Sequence, residues 1–291
     1  SNGGVYRPDA EIFSALELES VETGNYIDWE ELILRNGMTQ NHQVSVSSGT
    51  EDTKVYTSFN FFQNEGIIPN SEGTRVSGRI NVDQKINDWL KFGVNTSLQF
   101  SREDGPNVGG ILLTSITTSP LGQVYNEDGS LRYLPGGFEE NKNPLIDLQE
   151  TNTRSDSRND IVNIFADITL FKGLNYRINA SRRSWNNKQR SYNTANSITG
   201  VTRGSVGSGY IYFQDNEEWQ VENILTYGSK FGSDKHNLDL TAVQAASESK
   251  YTNFRNNVDQ VPNDILGING LEAALTNIPT IAESRSGLVS D

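Results

Sequence analysis

Cysteine is absent from the 291 residues. That excludes disulfide frameworks, zinc–thiolate sites and iron–sulfur clusters. No run of 18 or more apolar residues occurs, which excludes a transmembrane helix. Lys and Arg number 24 against 37 Asp and Glu, a formal charge of −13. A broad nucleic-acid-binding face needs clustered cations, and this balance argues against one. Histidine is scarce: only His42 and His236 occur. Each opens an expected strand without the convergent partners of a catalytic triad or a two-histidine metal site. Hydrophobic residues make up 34% of the chain. Such a polar composition still leaves room for a transmembrane β-barrel, whose strands alternate apolar and polar side chains.

What the sequence does contain is period-two alternation, which sends successive side chains to opposite faces of a strand. Residues 90–101 show it best. Leu90, Phe92, Val94, Thr96, Leu98 and Phe100 share one face, while Lys91, Gly93, Asn95, Ser97, Gln99 and Ser101 share the other. The preceding segment repeats the pattern, with Val76, Gly78, Ile80 and Val82 opposed to Arg75, Arg79, Asn81, Asp83 and Lys85. Asn87-Asp88 between them suits a tight turn. Residues 74–101 therefore read as one long hairpin.

Three more hairpins follow the same logic: 42–48 with 55–63, 161–171 with 174–185, and 217–227 with 236–246. The turns are residues 49–52, Lys172-Gly173 and a stretch that includes Gly232-Ser233-Asp234. Phe165 breaks the alternation by falling on a polar face. Between hairpins the connections are long and rich in Gly, Asn, Ser and Pro, so short and long connections alternate. Compact soluble domains rarely hold such loops, whereas outer-membrane barrels pair short turns at one end with long loops at the other. The runs also reach the roughly 9–11 residues that a tilted strand needs to cross a bilayer.

The expected fold is thus all-β: an antiparallel transmembrane β-barrel segment of about eight strands. Val76, Ile80, Val82, Leu90, Phe92, Val94, Leu98 and Phe100 would face lipid. Arg75, Arg79, Asp83, Lys91, Asn95, Gln99, Asp167 and Arg177 would face the lumen. So many charges crowd a closed eight-stranded interior, and a wider barrel accommodates them more easily. The sequence opens at Ser1 and closes at Asp291 inside a mixed stretch, so a piece of a longer chain is expected.

Particular residues carry a resemblance. Asp28-Trp29, Arg35-Asn36-Gly37, Gln40-Asn41-His42 and Val44-Ser45-Val46-Ser47-Ser48-Gly49 lead into Val55-Tyr56-Thr57-Ser58-Phe59 and Asn64-Glu65-Gly66-Ile67-Ile68. Arg75-Val76-Ser77-Gly78-Arg79-Ile80-Asn81-Val82-Asp83 and Val94-Asn95 follow. This series resembles the early barrel of the SusC/RagA family of TonB-linked outer-membrane transporters. Ser119-Pro120-Leu121 with Tyr125-Asn126 resembles that family's first large external loop. Lys172-Gly173-Leu174, Glu222-Asn223 and His236-Asn237-Leu238 resemble later turns and strands.

The resemblance, over roughly residues 26–248, implies about 22 strands filled by a plug. It implies active import of oligosaccharides or peptides across the outer membrane of a Gram-negative bacterium. Implied partners are a SusD-like lipoprotein lid and the TonB energy-transducing complex, the latter reached through a plug region not contained in this sequence. On this reading residues 1–40 lead into the barrel, 41–248 form hairpins with long external loops, and 249–291 begin a further external loop.

Other chemistry finds little support. Gly204-Ser205-Val206-Gly207-Ser208-Gly209 has neither the Lys nor the following helix of a phosphate-binding loop and reads as a flexible loop. Asn126-Glu127-Asp128-Gly129 lacks the spaced ligands of a calcium loop and reads as a β-turn. The adjacent carboxylates Glu30/Glu31 and Glu139/Glu140 read as solvated surface. No catalytic residue, metal or cofactor is expected. Tyr125, Tyr133, Phe138, Tyr192, Tyr210 and Tyr212, interleaved with Asn, Asp and Arg in the long connections, are the candidate ligand contacts, since aromatic platforms with polar neighbours suit sugars or peptides. A passive outer-membrane barrel and a soluble β-rich binding or adhesin module remain as alternatives.

Overall fold

The structure, a computed structural model, describes residues 7–231 and 235–290. Nine antiparallel strands form one sheet in the order of the chain: β1 (Met38–Gly49), β2 (Thr53–Glu65), β3 (Glu72–Asn87), β4 (Leu90–Gly105), β5 (Thr151–Phe171), β6 (Leu174–Asn193), β7 (Gly207–Phe231), β8 (His236–Val261) and β9 (Thr276–Ser290). Each strand pairs with the next along its length. The result, among the described residues, is an up-and-down meander with one unpaired edge on β1 and one on β9.

All four expected hairpins form, and every strand is longer than its alternating core. β5 to β8 run to 21, 20, 25 and 26 residues. Gly207-Ser208-Gly209 open β7 and so do not belong to a loop. The stretch 249–291 also differs from expectation. Its described part continues β8 to Val261 and returns as β9, which raises the strand count to nine. Pro279 on β9 is compatible with this because β9 is an edge strand.

The connections segregate by length. Residues 50–52, 88–89 and 172–173 turn the chain at one end. Gly173 has φ +89°, and a side chain there would also run into the Gly228 carbonyl, so glycine suits the turn. The expected turn at Gly232-Ser233-Asp234 lies outside the described residues. Residues 66–71, 106–150, 194–206 and 262–275 connect strands at the opposite end.

Helices gather at that long-loop end. The N-terminal segment carries α1 (Asp9–Ile12), α2 (Ala15–Thr23) and α3 (Trp29–Ile33). The longest loop carries α4 (Val108–Thr117) and α5 (Pro144–Glu150), and α6 (Ile198–Thr202) follows β6. Ser14 caps α2 in a reciprocal box with Glu17, and Asp28 caps α3, each satisfying helix N–H groups that have no partner within the helix. The segment then docks on the loop. Trp29 Nε1 donates to the Ser119 carbonyl at 3.0 Å, and Ser20 Oγ donates to the Gly122 carbonyl at 3.2 Å. Ile33, Ile68, Ile111, Leu145 and Leu148 close an apolar core between them. Residues 7–37 therefore enter β1 from the long-loop end, and β1 descends toward the short turns.

Candidate functional site

The register sorts the side chains into two faces. Val76, Gly78, Ile80 and Val82 of β3 lie across from Phe100, Leu98, Thr96 and Val94 of β4. Val94, Phe92 and Leu90 in turn lie across from Ile164, Ala166 and Ile168 of β5. Val44 and Phe59 extend this face onto β1 and β2. Its residues are open rather than packed: Val44 is 67% exposed, Phe59 53% and Ile80 50%. His42 joins the same face, stacked on Phe61 at 6.4 Å between ring centroids. His236 stacks on Phe231 at the short-turn end.

The opposite face brings together Arg75, Arg79, Asp83, Lys91, Asn95, Gln99, Asp167 and Arg177. Lys91 pairs with Asp83 at 3.2 Å and Arg177 with Asp167 at 3.4 Å. The same two cations cap the ring of Phe165, Arg177 at 4.4 Å and Lys91 at 5.4 Å from its centroid. This accounts for the aromatic residue that interrupts the polar alternation: its ring is buried beneath charge through cation–π contact.

The apolar face ends part-way up the strands. On β5 it runs from Leu170 to Val162 and then gives way to Asp160, Arg158 and Asp156. On β6 it changes at Arg182, which pairs with Glu217 of β7 at 2.5 Å. Beyond that level β5 and β6 are largely polar on both faces, while β7 and β8 keep Ile211, Phe213 and Phe254 on the outer one, and the strands continue to the long-loop end.

The six candidate ring residues do not form one site. Tyr210 and Tyr212 stand together on the polar face of β7, half-buried, as β-strand residues and not loop residues. Tyr133 reaches from the longest loop to α6, its hydroxyl donating to the Ile198 carbonyl at 3.3 Å. Tyr125 and Phe138 lie exposed in the same loop. The turn at 126–129 is closed by Asn126 N–H on the Ser130 carbonyl and by two Ser130 donors on Asp128. Those donors hold the Asp128 carboxyl below its ordinary pKa.

Tyr192 departs from expectation. It belongs to β6, projects to the opposite face from Tyr210, and is 2% exposed. It packs with Val258, Val261, Ile268, Leu271 and Ala274 under the 262–275 connection, and its hydroxyl donates to Asp264. It is a packing residue of that loop and offers no surface to a ligand.

Residues that the sequence pattern did not single out complete the pair on β7. Across from Tyr212 stands Arg255 of β8, with Tyr251, Asn253 and Asn257 on the same face. The Arg255 guanidinium lies 3.9 Å from the Tyr210 ring centroid, and its Nε donates to Asn257 Oδ1 at 2.9 Å. The Tyr212 and Tyr251 hydroxyls meet at 3.3 Å. Asn253 donates to Tyr251 at 3.1 Å, and Tyr212 donates to Gln214 at 3.1 Å. The available signal was the spacing of Tyr251, Asn253 and Arg255, but no apolar alternation accompanies it there.

In the longest loop, burial pushes the Asp147 carboxyl above its ordinary pKa. The Ile198 N–H, which it accepts at 3.0 Å, and the charge of Lys142 oppose that shift.

Comparison with known proteins agrees with this architecture. No family model matches the chain. A TonB-dependent receptor of Formosa agariphila is 27% identical over 270 residues, covering 91% of this chain and 26% of the receptor. The TonB-dependent receptor SusC of Bacteroides thetaiotaomicron is 21% identical over 176 residues, covering 53% of this chain and 17% of SusC. Among solved structures, the RagAB peptide transporter superposes with a TM-score of 0.72 at 21% identity, over 91% of this chain and 30% of that one. The RagAB importer in its open-open state gives 0.68 at 21% identity. The resemblance to SusC/RagA transporters thus extends to the relatives' sequences and to their fold, and the sheet corresponds to part of such a barrel. The chain spans about a quarter of the length of the receptor from Formosa agariphila.

Proposed function

We propose that the chain forms part of an outer-membrane, TonB-dependent importer of oligosaccharides or peptides in a Gram-negative bacterium. The observation that carries this reading is the apolar face, bounded by short turns at one end and by charged, solvent-ready strands at the other. On β4 it runs from Leu90 to Phe100, about 34 Å of strand at about 3.4 Å per residue. Tilted by about 45°, that stands about 24 Å tall, matching the roughly 25 Å apolar band of a membrane barrel. In water, so large a bare apolar surface would drive association. Lipid is the solvent that suits it.

On this reading Val76, Ile80, Val82, Leu90, Phe92, Val94, Leu98 and Phe100 meet lipid, and Arg75, Arg79, Asp83, Lys91, Asn95, Gln99, Asp167 and Arg177 line the lumen. The unpaired edges of β1 and β9 would pair with further strands, because a spanning sheet must close. The long-loop end is external. There the helical N-terminal segment and the 106–150 loop would meet a SusD-like lipoprotein lid, and Tyr125, Tyr133, Phe138, Tyr210 and Tyr212 would meet ligand. The TonB complex would act through a plug inside the barrel. The role is transport rather than catalysis, with no cofactor or metal.

The test is depletion of oligosaccharides and peptides from the medium, read by mass spectrometry, with cells that carry or lack the intact receptor. Receptor-dependent depletion that stops when a protonophore collapses the inner-membrane gradient is the expected result. Depletion that continues without the gradient would mean a passive pore.

A further inference from the structure

The Arg255 cluster goes further into that same reading and rests on it, since it takes the polar face as the lumen. Ten ion pairs form among the described residues, and Arg255 enters none of them. Other strand arginines divide: Arg154 meets Asp104 at 2.5 Å and Arg102 meets Asp156 at 2.6 Å, whereas Arg75, over the Phe62 ring at 4.9 Å, Arg79 and Arg183 also stand outside the ten pairs. What sets Arg255 apart from these three is a ring and a side-chain hydrogen bond acting on the same guanidinium. Arg255 is nonetheless held in place. The Tyr210 ring holds its guanidinium from one side at 3.9 Å, and its Nε donates to Asn257 Oδ1 at 2.9 Å. Its two terminal nitrogens have no hydrogen-bond acceptor among the described residues.

A planar guanidinium with an open two-nitrogen edge matches a carboxylate bidentately. Its neighbours indicate what carries that carboxylate. Along β8 on the same face stand Asn253 and Asn257; across the sheet stand Tyr212 on β7 and Thr280 on β9. Gln189 and Ser191 of β6 lie beyond Tyr212 and Tyr210. Ser191 is buried and accepts from Thr153, and the Thr280 hydroxyl donates to the Arg255 carbonyl; the others offer an amide or hydroxyl, the groups that hydrogen-bond to sugar hydroxyls. The rings of Tyr212 and Tyr251 supply the apolar surface that a sugar ring stacks on.

We infer that Arg255 is the anchor for the carboxylate of an acidic oligosaccharide, one containing uronic acid units, bound on the polar face of β7 and β8.

The experiment uses the purified full-length receptor in detergent and calorimetric titration with three probes: tri-galacturonic acid, its methyl ester and triglycine. The free acid is expected to bind about tenfold or more tightly than the ester. Arg255→Gln should erase that difference while moving the ester's affinity less than twofold. Retention of heat-modifiable mobility on gels shows that the variant is folded. Equal binding of acid and ester, no binding of either, or discrimination that survives Arg255→Gln would overturn the inference. So would Arg255-dependent binding of triglycine in place of the sugar acid, which would make the carboxylate a peptide's. Binding in detergent needs no energised membrane, so this result stands or falls apart from the depletion experiment.

Discussion

Gly93 of β4 and Phe165 of β5 are register partners, and the Phe165 ring occupies the space that a side chain at position 93 would need. The missing Cβ leaves room for the ring under Lys91 and Arg177, which also hold Asp83 and Asp167. Gly93→Val should therefore overpack the pair and cost about 1–3 kcal/mol. Urea titration of the lipid-reconstituted full-length receptor reads this. Phe165→Ala in the same chain should recover part of the loss, giving a coupling well above additivity. Additive effects would show that the ring does not depend on the glycine.

The same neighbourhood shows how much was legible in sequence. The hairpin of β3 and β4 stood out because Val76, Ile80, Val94 and Leu98 alternate with Arg79, Asn95 and Gln99. That alternation exists where one face is apolar. The upper parts of β5 to β8 and all of β9 are polar or mixed on both faces, as in Ser155-Asp156-Ser157-Arg158 and Glu283-Ser284-Arg285-Ser286, so they read as loop although they pair in full. Tyr192 therefore reads as a loop residue in the sequence, and no apolar alternation there marks Tyr251 and Arg255. Phe165 was legible as an exception, but its cause lay on another strand.

Asp147 makes the longest loop sensitive to pH. Its pKa is raised by burial in the folded loop. Its contribution is therefore fully present below the unfolded carboxylate pKa and is lost as pH rises through the folded one. Asp147→Asn keeps an acceptor for the Ile198 N–H without the buried charge. Hydrogen-exchange protection of residues 144–150 and 198–202 should be greater in the variant at pH 7 and converge with the parent near pH 4. Lower protection in the variant at pH 7 would contradict this.

Tyr192 ties down the connection between β8 and β9. Tyr192→Ala should cost about 3–5 kcal/mol locally, exposing residues 262–275 to limited proteolysis. Tyr192→Phe should cost about 1 kcal/mol, because Asp264 still accepts from the Ala195 N–H at 3.2 Å. Equal cleavage of the two variants would mean that the ring does not anchor the loop.

The most direct test compares arginine at two adjacent positions in the full-length receptor, Val94→Arg and Asn95→Arg, by the fraction assembled as a heat-modifiable barrel in outer membranes. Val94 sits mid-way along the apolar face of β4, and Asn95 lies on the other face between Asn81 and Asn163. A lipid-facing arginine at mid-bilayer should cost about 2–4 kcal/mol, so Val94→Arg should largely abolish assembly while Asn95→Arg assembles as the parent does. Equal tolerance of both, or loss at Asn95 alone, would contradict the assignment of the apolar face to lipid and with it the transporter reading.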